Sequence, residues 1–242
     1  MSPKTTLIFL LHAVLFATGA RSAEQVLIPL PLIYPPGIPG AHGSSWTTEL
    51  LMHNPADEPA RRVICPGWIG GFPSTIPRRS TQTLVPTNSP VPPVFVCVEG
   101  ELVFNLRVRD FSRQALTWGT EIPVIRSEDL LERVSLPGVP TDSRFRQTLR
   151  IYNWRHDEAL SYSVQALDPQ GNVVLDRTLV PQQIRGYPGY AQIIDIVSQH
   201  PELAAHEIVT LRIVPSVPEL GIWGFVSVTN NETQHVTLIS PD

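Results

Sequence analysis

The sequence predicts an all-β fold: two tandem β-sandwich modules, immunoglobulin-like in the loose sense, with one or two short helices. Three observations lead there. The 25 prolines in 242 residues disfavour long helices, because proline removes a backbone donor and clashes with the preceding turn. Short apolar runs recur between Pro, Gly and Asn turns, which is the pattern of loop-bounded strands. The third observation is a repeat: Ser44-Ser45-Trp46-Thr47-Thr48-Glu49-Leu50-Leu51-Met52-His53-Asn54 is echoed 99 positions later by Ser143-Arg144-Phe145-Arg146-Gln147-Thr148-Leu149-Arg150-Ile151-Tyr152-Asn153.

Each echo reads as a strand with a large aromatic near its start and an Asn at its end. Alternation places Trp46, Thr48, Leu50 and Met52 on one face, and Phe145, Gln147, Leu149 and Ile151 on the matching face. A second echo carries Leu106-Arg107-Val108 and Trp118-Gly119 to Leu211-Arg212-Ile213 and Trp223-Gly224, a shift of 105, so the second copy is expected to hold about six extra residues. Trp46, Trp118, Trp223 and Phe145 are accordingly read as core anchors. One larger barrel or sandwich built from both halves is the alternative architecture.

Taken in order, Val26–Tyr34 reads as an edge strand or a strap, since Pro29 and Pro31 cannot donate to a central ladder. Residues 66–93 read as loops with one short strand near Thr81–Val85, and Val94–Val98 as a buried strand. Leu102, Phe104, Leu106 and Val108 alternate with Val103, Asn105, Arg107 and Arg109, as in a half-buried strand. Ser127 before Glu128-Asp129 suits the start of a short helix running to about Arg133. Leu136–Pro140 reads as a linker. Leu160–Ala166 and Val173–Val180 form a hairpin around Asp168–Asn172, and Gln192–Gln199 a short helix. Val209, Leu211 and Ile213 mark a further strand, and Ile222–Thr229 with His235–Ile239 a closing hairpin. The division expected is a signal peptide at 1–23, a first module at 24–136 and a second at 137–242.

Composition bounds the function. Lys4, the apolar run Leu7–Ala17 and the small residues after it read as a secretory signal, so the protein is expected to be exported: periplasmic, extracellular or envelope-associated. No second apolar run is long enough to span a bilayer, so the mature chain is not expected to be membrane-spanning. Removing 1–23 removes Lys4, which is the only lysine, together with Arg21, and leaves 16 basic against 22 acidic residues. A net-acidic surface argues against a nucleic-acid partner. Cys65 and Cys97 are a candidate disulfide in an oxidising compartment, with two buried thiols as the alternative.

The catalytic spacings are near misses. His206-Glu207-Ile208-Val209-Thr210 begins like a zinc-protease motif but has Thr210 where the second ligand belongs, and it opens a strand where the motif needs a helix. No GxSxG, GxxxxGK[ST] or GxGxxG occurs. Catalytic residues, metal and cofactor are therefore all expected to be none. Trp154, which follows Asn153 where the first copy has Pro55, is the candidate exposed contact. Arg107 and Arg212 are read as outward residues at equivalent positions, paired across strands with Glu or Thr.

At Trp223-Gly224-Phe225-Val226-Ser227-Val228-Thr229-Asn230-Asn231, and at the strands ending in Asn54-Pro55 and Asn153, the chain resembles a group of exported bacterial proteins with repeated β-sandwich modules and no established function. The resemblance implies no catalytic residues. The expected role is a non-catalytic secreted or envelope-associated binding or structural protein, with an unknown protein or glycan partner in the envelope. The alternatives are a periplasmic pilus-chaperone-like protein and a secreted hydrolase.

Overall fold

A computed structural model describes residues 23–33, 35–63, 74–84, 93–114, 118–153, 161–180 and 189–241. The signal-like segment up to residue 22 lies outside them. The fold is all-β, with four antiparallel sheets pairing as two sandwich-like modules. The first module contains β1 (Glu24–Ile28), β2 (Ile38–Pro39), β3 (Ser45–Asn54), β4 (Ala60–Val63), β5 (Thr75–Ile76), β6 (Ser80–Leu84), β7 (Val94–Glu99), β8 (Val103–Asp110), β9 (Thr120–Ile122) and β10 (Ile125–Arg126). Sheet 1a has the order β10-β1-β7-β4-β5; sheet 1b has β2-β3-β8-β9, with β6 also on β3. The second module contains β11 (Val134–Pro140), β12 (Phe145–Asn153), β13 (Tyr162–Leu167), β14 (Val173–Leu179), β15 (Gly189–Ile193), β16 (Ile208–Pro215), β17 (Ile222–Asn230) and β18 (Val236–Ile239). Sheet 2a runs β11-β16-β13-β14 and sheet 2b runs β15-β12-β17-β18. Two single-turn α-helices, α1 (Phe111–Gln114) and α2 (Ile196–Gln199), and four short 3-10 turns complete the described elements. No helix among the described residues is long and apolar enough to cross a membrane.

The two modules share a strand plan. In each, the echo strand (β3 or β12) sits at the heart of one sheet beside β8 or β17, and the strand before that partner (β7 or β16) lies in the opposite sheet.

The expected second echo is overturned by register. Leu50 lies opposite Leu106, and its counterpart Leu149 lies opposite Val226. Leu106 is therefore equivalent to Val226, 120 positions on, and not to Leu211. Leu211-Arg212-Ile213 belongs to β16 in sheet 2a, on the other side of its sandwich. Half of the added length falls before β15: Leu84 faces Leu50 as Ile193 faces Leu149, a shift of 109. The other half lies between β15 and β17 and includes α2.

Local expectations differ where a residue has a better partner. β1 is a central strand: it ends at Ile28, so Pro29 and Pro31 fall beyond its ladder and break no bond in it. Residues 29–33 then run as a strap along β3. There the Thr48 N–H donates to the Ile33 carbonyl (2.9 Å), the Ile33 N–H to Thr48 Oγ1 (2.7 Å), and the Thr48 hydroxyl to the Pro31 carbonyl (2.8 Å). The helix expected after Ser127 is one tight turn, Ser127–Asp129, because Leu131 is drawn into a two-way bridge with Ile222. Leu136–Pro140 belongs to β11, with a bulge at Pro137-Gly138. Strand β15 takes the first part of the helix expected at 192–199, and α2 begins only at Ile196.

Two cores result. The second module closes on Leu149, Ile151, Val164, Leu211, Ile213 and Val226, all essentially buried. At roughly 1.5–3 kcal/mol for each fully buried side chain, such layers supply most of the driving force. The first core contains Val26, Ile28, Leu50, Val96 and Leu106, but it also contains Tyr152, Trp223 and Phe225 from sheet 2b. Sheet 2b is therefore buried on both faces: its inner face packs in its own sandwich, and part of its outer face completes the other. The hydroxyl of Tyr152 donates to the carbonyl of Pro29, and Thr120 Oγ1 donates to the carbonyl of Val236 (2.7 Å).

Candidate functional site

The outer face of sheet 2b changes character along β12 and β17. Register sets Tyr152 opposite Trp223, Arg150 opposite Phe225, Thr148 opposite Ser227 and Arg146 opposite Thr229. At the Tyr152 end the aromatics cluster, with ring centroids 6.3 Å apart for the stacked Tyr152–Trp223 pair and 5.2 Å for the tilted Trp223–Phe225 pair, and the contact with the first module is apolar. Toward Arg146 the two modules part and leave a cleft of about 230 Å³. Sheet 2b lines one wall with Arg146, Thr148, Arg150, Phe225, Ser227 and Thr229. The first module lines the other with Leu30, Pro31 and Ile33 of the strap, Ile38, and Trp46, Thr48, Val108 and Ile122 of sheet 1b.

Each wall is held from behind. Trp46 is half-buried and lies under the loop containing Gly40. A Cβ on Gly40 would stand 2.4 Å from the Trp46 indole nitrogen, so only glycine allows that approach. Thr48 is fixed by its three strap hydrogen bonds. On the other wall, Arg146 Nη2 donates to Gln234 Oε1 (2.9 Å). Gln234 is fully buried in the β17–β18 turn at φ 57°, a left-handed conformation, and its amide nitrogen donates to the carbonyl of Asn231 (2.7 Å).

The two arginines carry the electrostatics. Arg150 Nη1 donates to Ser227 Oγ (2.9 Å), and its guanidinium carbon lies 5.7 Å from the Phe225 ring centroid. Burial pulls its pKa below the ordinary arginine value, with the neighbouring Tyr152 and Tyr190 hydroxyls acting in the opposite direction. Burial also lowers the pKa of Arg146, opposed by the field of Asp195, and Arg146 Nη1 is buried without a hydrogen-bond partner. Neither arginine forms an ion pair among the described residues. Burial likewise raises the pKa of Tyr152, so its phenol stays neutral as a donor.

The residues singled out from sequence are scattered. Cys97 is buried in β7, opposite Val63, but Cys65 lies outside the described residues, as does Trp154. Trp118, read as a core anchor, is 77 % exposed; it stacks on the Arg107 guanidinium at 4.7 Å, because that side of sheet 1b is open. Trp223 is buried (3 % exposed), yet against the first module and not in its own sandwich. Trp46 lines the cleft, and Phe145 packs at the margin of the second core. Arg107 does lie between two glutamates across strands, Glu49 and Glu121. Arg212 sits in the other kind of sheet, opposite Ser135 and Gln165. His206 and Glu207 directly precede β16, as the strand reading required. Among the described residues, no three His, Cys, Asp or Glu side chains gather as a metal site.

Arg146, Arg150 and Ser227 were not singled out. The sequence signal for the two arginines is that Arg146 and Arg150 stand at the outward positions where the first echo has Thr47 and Leu51. In comparisons with known proteins, no family model, no curated protein and no solved structure matches the chain.

Proposed function

We propose that this chain is a non-catalytic binding protein, secreted or envelope-associated, whose ligand seats between the two sandwich modules. One observation carries the reading: the cleft sets an apolar wall from the first module against a few converging polar donors on sheet 2b, the usual construction of a ligand site. Its size admits a small ligand or the end of a larger one, so a protein or glycan partner would present a terminus or a side group to it. Export rests on the signal-like residues 1–23, and the resemblance to exported tandem-sandwich proteins is in keeping with it.

Native mass spectrometry of the protein purified from its own envelope tests this. A retained mass is expected in the wild type and is expected to be lost when Ser227→Trp fills the cleft. Equal retention by both forms would sink the reading. Turnover of a polysaccharide or peptide that Ser227→Trp abolishes would replace it with the hydrolase alternative.

A further inference from the structure

We infer that the cleft is an anion site and that its ligand carries a single carboxylate on an apolar body. The inference rests on reading the cleft as a binding site and adds the chemistry of the ligand. Two guanidinium groups line a largely apolar cavity, and among the described residues no carboxylate lies within ion-pair distance of either. Both side chains are half-buried, and a cation taken even partly out of water without a counter-charge is costly. The Phe225 ring at 5.7 Å and the Ser227 hydroxyl at 2.9 Å offset only part of that cost for Arg150. The direct partner is Arg146, whose Nη1 is buried and unpartnered while Nη2 is fixed by Gln234. Gln234 fixes the guanidinium in place before any ligand arrives, so little side-chain freedom remains to be lost on binding.

The same features select the anion. Arg146 and Arg150 are four residues apart on one strand, so their backbones are about 13 Å apart and the two do not form a tight cluster. Asp195 further weakens the positive field at Arg146. That balance suits one negative charge and leaves a dianion such as phosphate under-neutralised. Ile33 and Val108 on the facing wall offer nothing to an inorganic ion, and together with the Trp46 ring they bury an alkyl or aromatic body well.

Calorimetry on the full chain with octanoate, octanol and inorganic sulfate tests the proposal. Octanoate is expected to bind about tenfold or more tighter than octanol, the difference a charge-assisted bond confers in a dry site. Arg146→Met is expected to erase that preference while octanol binding persists. Equal binding of octanoate and octanol by the wild type would overturn the anion site and leave the binding reading intact. Sulfate displacing octanoate would overturn the carboxylate assignment, and no binding of any probe would overturn the inference as a whole, with the retained-mass measurement still judging the cleft. The wild-type comparison stands even if the Arg146 variant is unstable, and a thermal melt of that variant shows whether it is.

Discussion

Sheets 1b and 2b have the same strand plan and opposite fates. Register pairs their outer faces position by position: Thr47, Glu49, Leu51 and His53 correspond to Arg146, Thr148, Arg150 and Tyr152, while Val103, Asn105 and Arg107 correspond to Trp223, Phe225 and Ser227. In sheet 1b this face is not packed into the other module's core, although Thr47 is buried. Val103 is 54 % exposed, and Arg107 lies between Glu49 and Glu121 under an exposed Trp118. In sheet 2b the face is taken up by the other module, aromatic where contact is closed and basic where the cleft opens. The backbone plan decides which residues share a face; what that face meets depends on side chains at positions a half-buried strand leaves free.

Exchanging equivalent positions tests this contrast. The largest effect is expected from Trp223→Ala, which removes a buried aromatic joining the modules and should cost about 3–5 kcal/mol in urea denaturation. Its counterpart Val103→Ala should stay within about 0.5 kcal/mol. Similar losses at both sites would show that the two faces are not different in kind. Next comes Arg150→Leu, which installs the residue type of the equivalent Leu51. Without ligand it should be neutral or stabilising by up to about 1 kcal/mol, because a half-buried cation without an ion pair is replaced by an apolar side chain. A clear loss of stability would mean that Arg150 is a structural keystone and not a group held for binding.

The third exchange lies at the strand ends, where Asp110 faces Trp46 as Asn230 faces Phe145. Both side chains cap a turn. Asp110 accepts from the Ser45 N–H (2.8 Å), the Ser112 hydroxyl (2.6 Å) and Arg113 (3.1 Å), whereas Asn230 Oδ1 accepts from the Glu232 and Thr233 N–H groups (2.9 Å each). Burial would raise the Asp110 pKa, but the bonds from Ser112, Ser45 and Arg113 outweigh it and hold the carboxyl below its ordinary value. A depressed carboxyl stabilises fully above its unfolded pKa and loses that contribution as pH falls through the folded one. Asp110→Asn should therefore cost about 1–3 kcal/mol near neutrality and progressively less in acid. Urea melts across that range check it; a pH-independent cost would exclude the charge as the cause. The smallest effect is expected from Trp118→Ala, at most about 1 kcal/mol, since only an exposed ring stacked on the Arg107 guanidinium is lost. A larger drop in melting temperature would mean that the open face carries load.

Much of the fold was legible because it is local. The first echo is correct to the residue pair, and the alternation of Val209, Leu211 and Ile213 appears as burial along β16. The second echo misled because Leu-Arg-Val and Leu-Arg-Ile describe any half-buried strand, and β8 and β16 are both such strands in different layers. The site was barely legible. Ile222 to Val226 is apolar without interruption, the mark of a strand buried on both sides, and this is where the sequence hinted at a second partner for sheet 2b. Arg146 and Arg150 carried no such mark, since an arginine at an outward position reads as solvated until the other module is known to cover it.

The double use of sheet 2b bears on how the chain matures. Tyr152 and Pro29 are 123 residues apart, and Thr120 and Val236 are 116 apart. During synthesis the amino-terminal module is made first yet lacks Tyr152, Trp223 and Phe225, the side chains that finish its interior. Its strands have to wait, partly uncovered, until β17 has left the ribosome. The last-made quarter of the protein thus sets the earliest moment at which the first-made half can reach its native state.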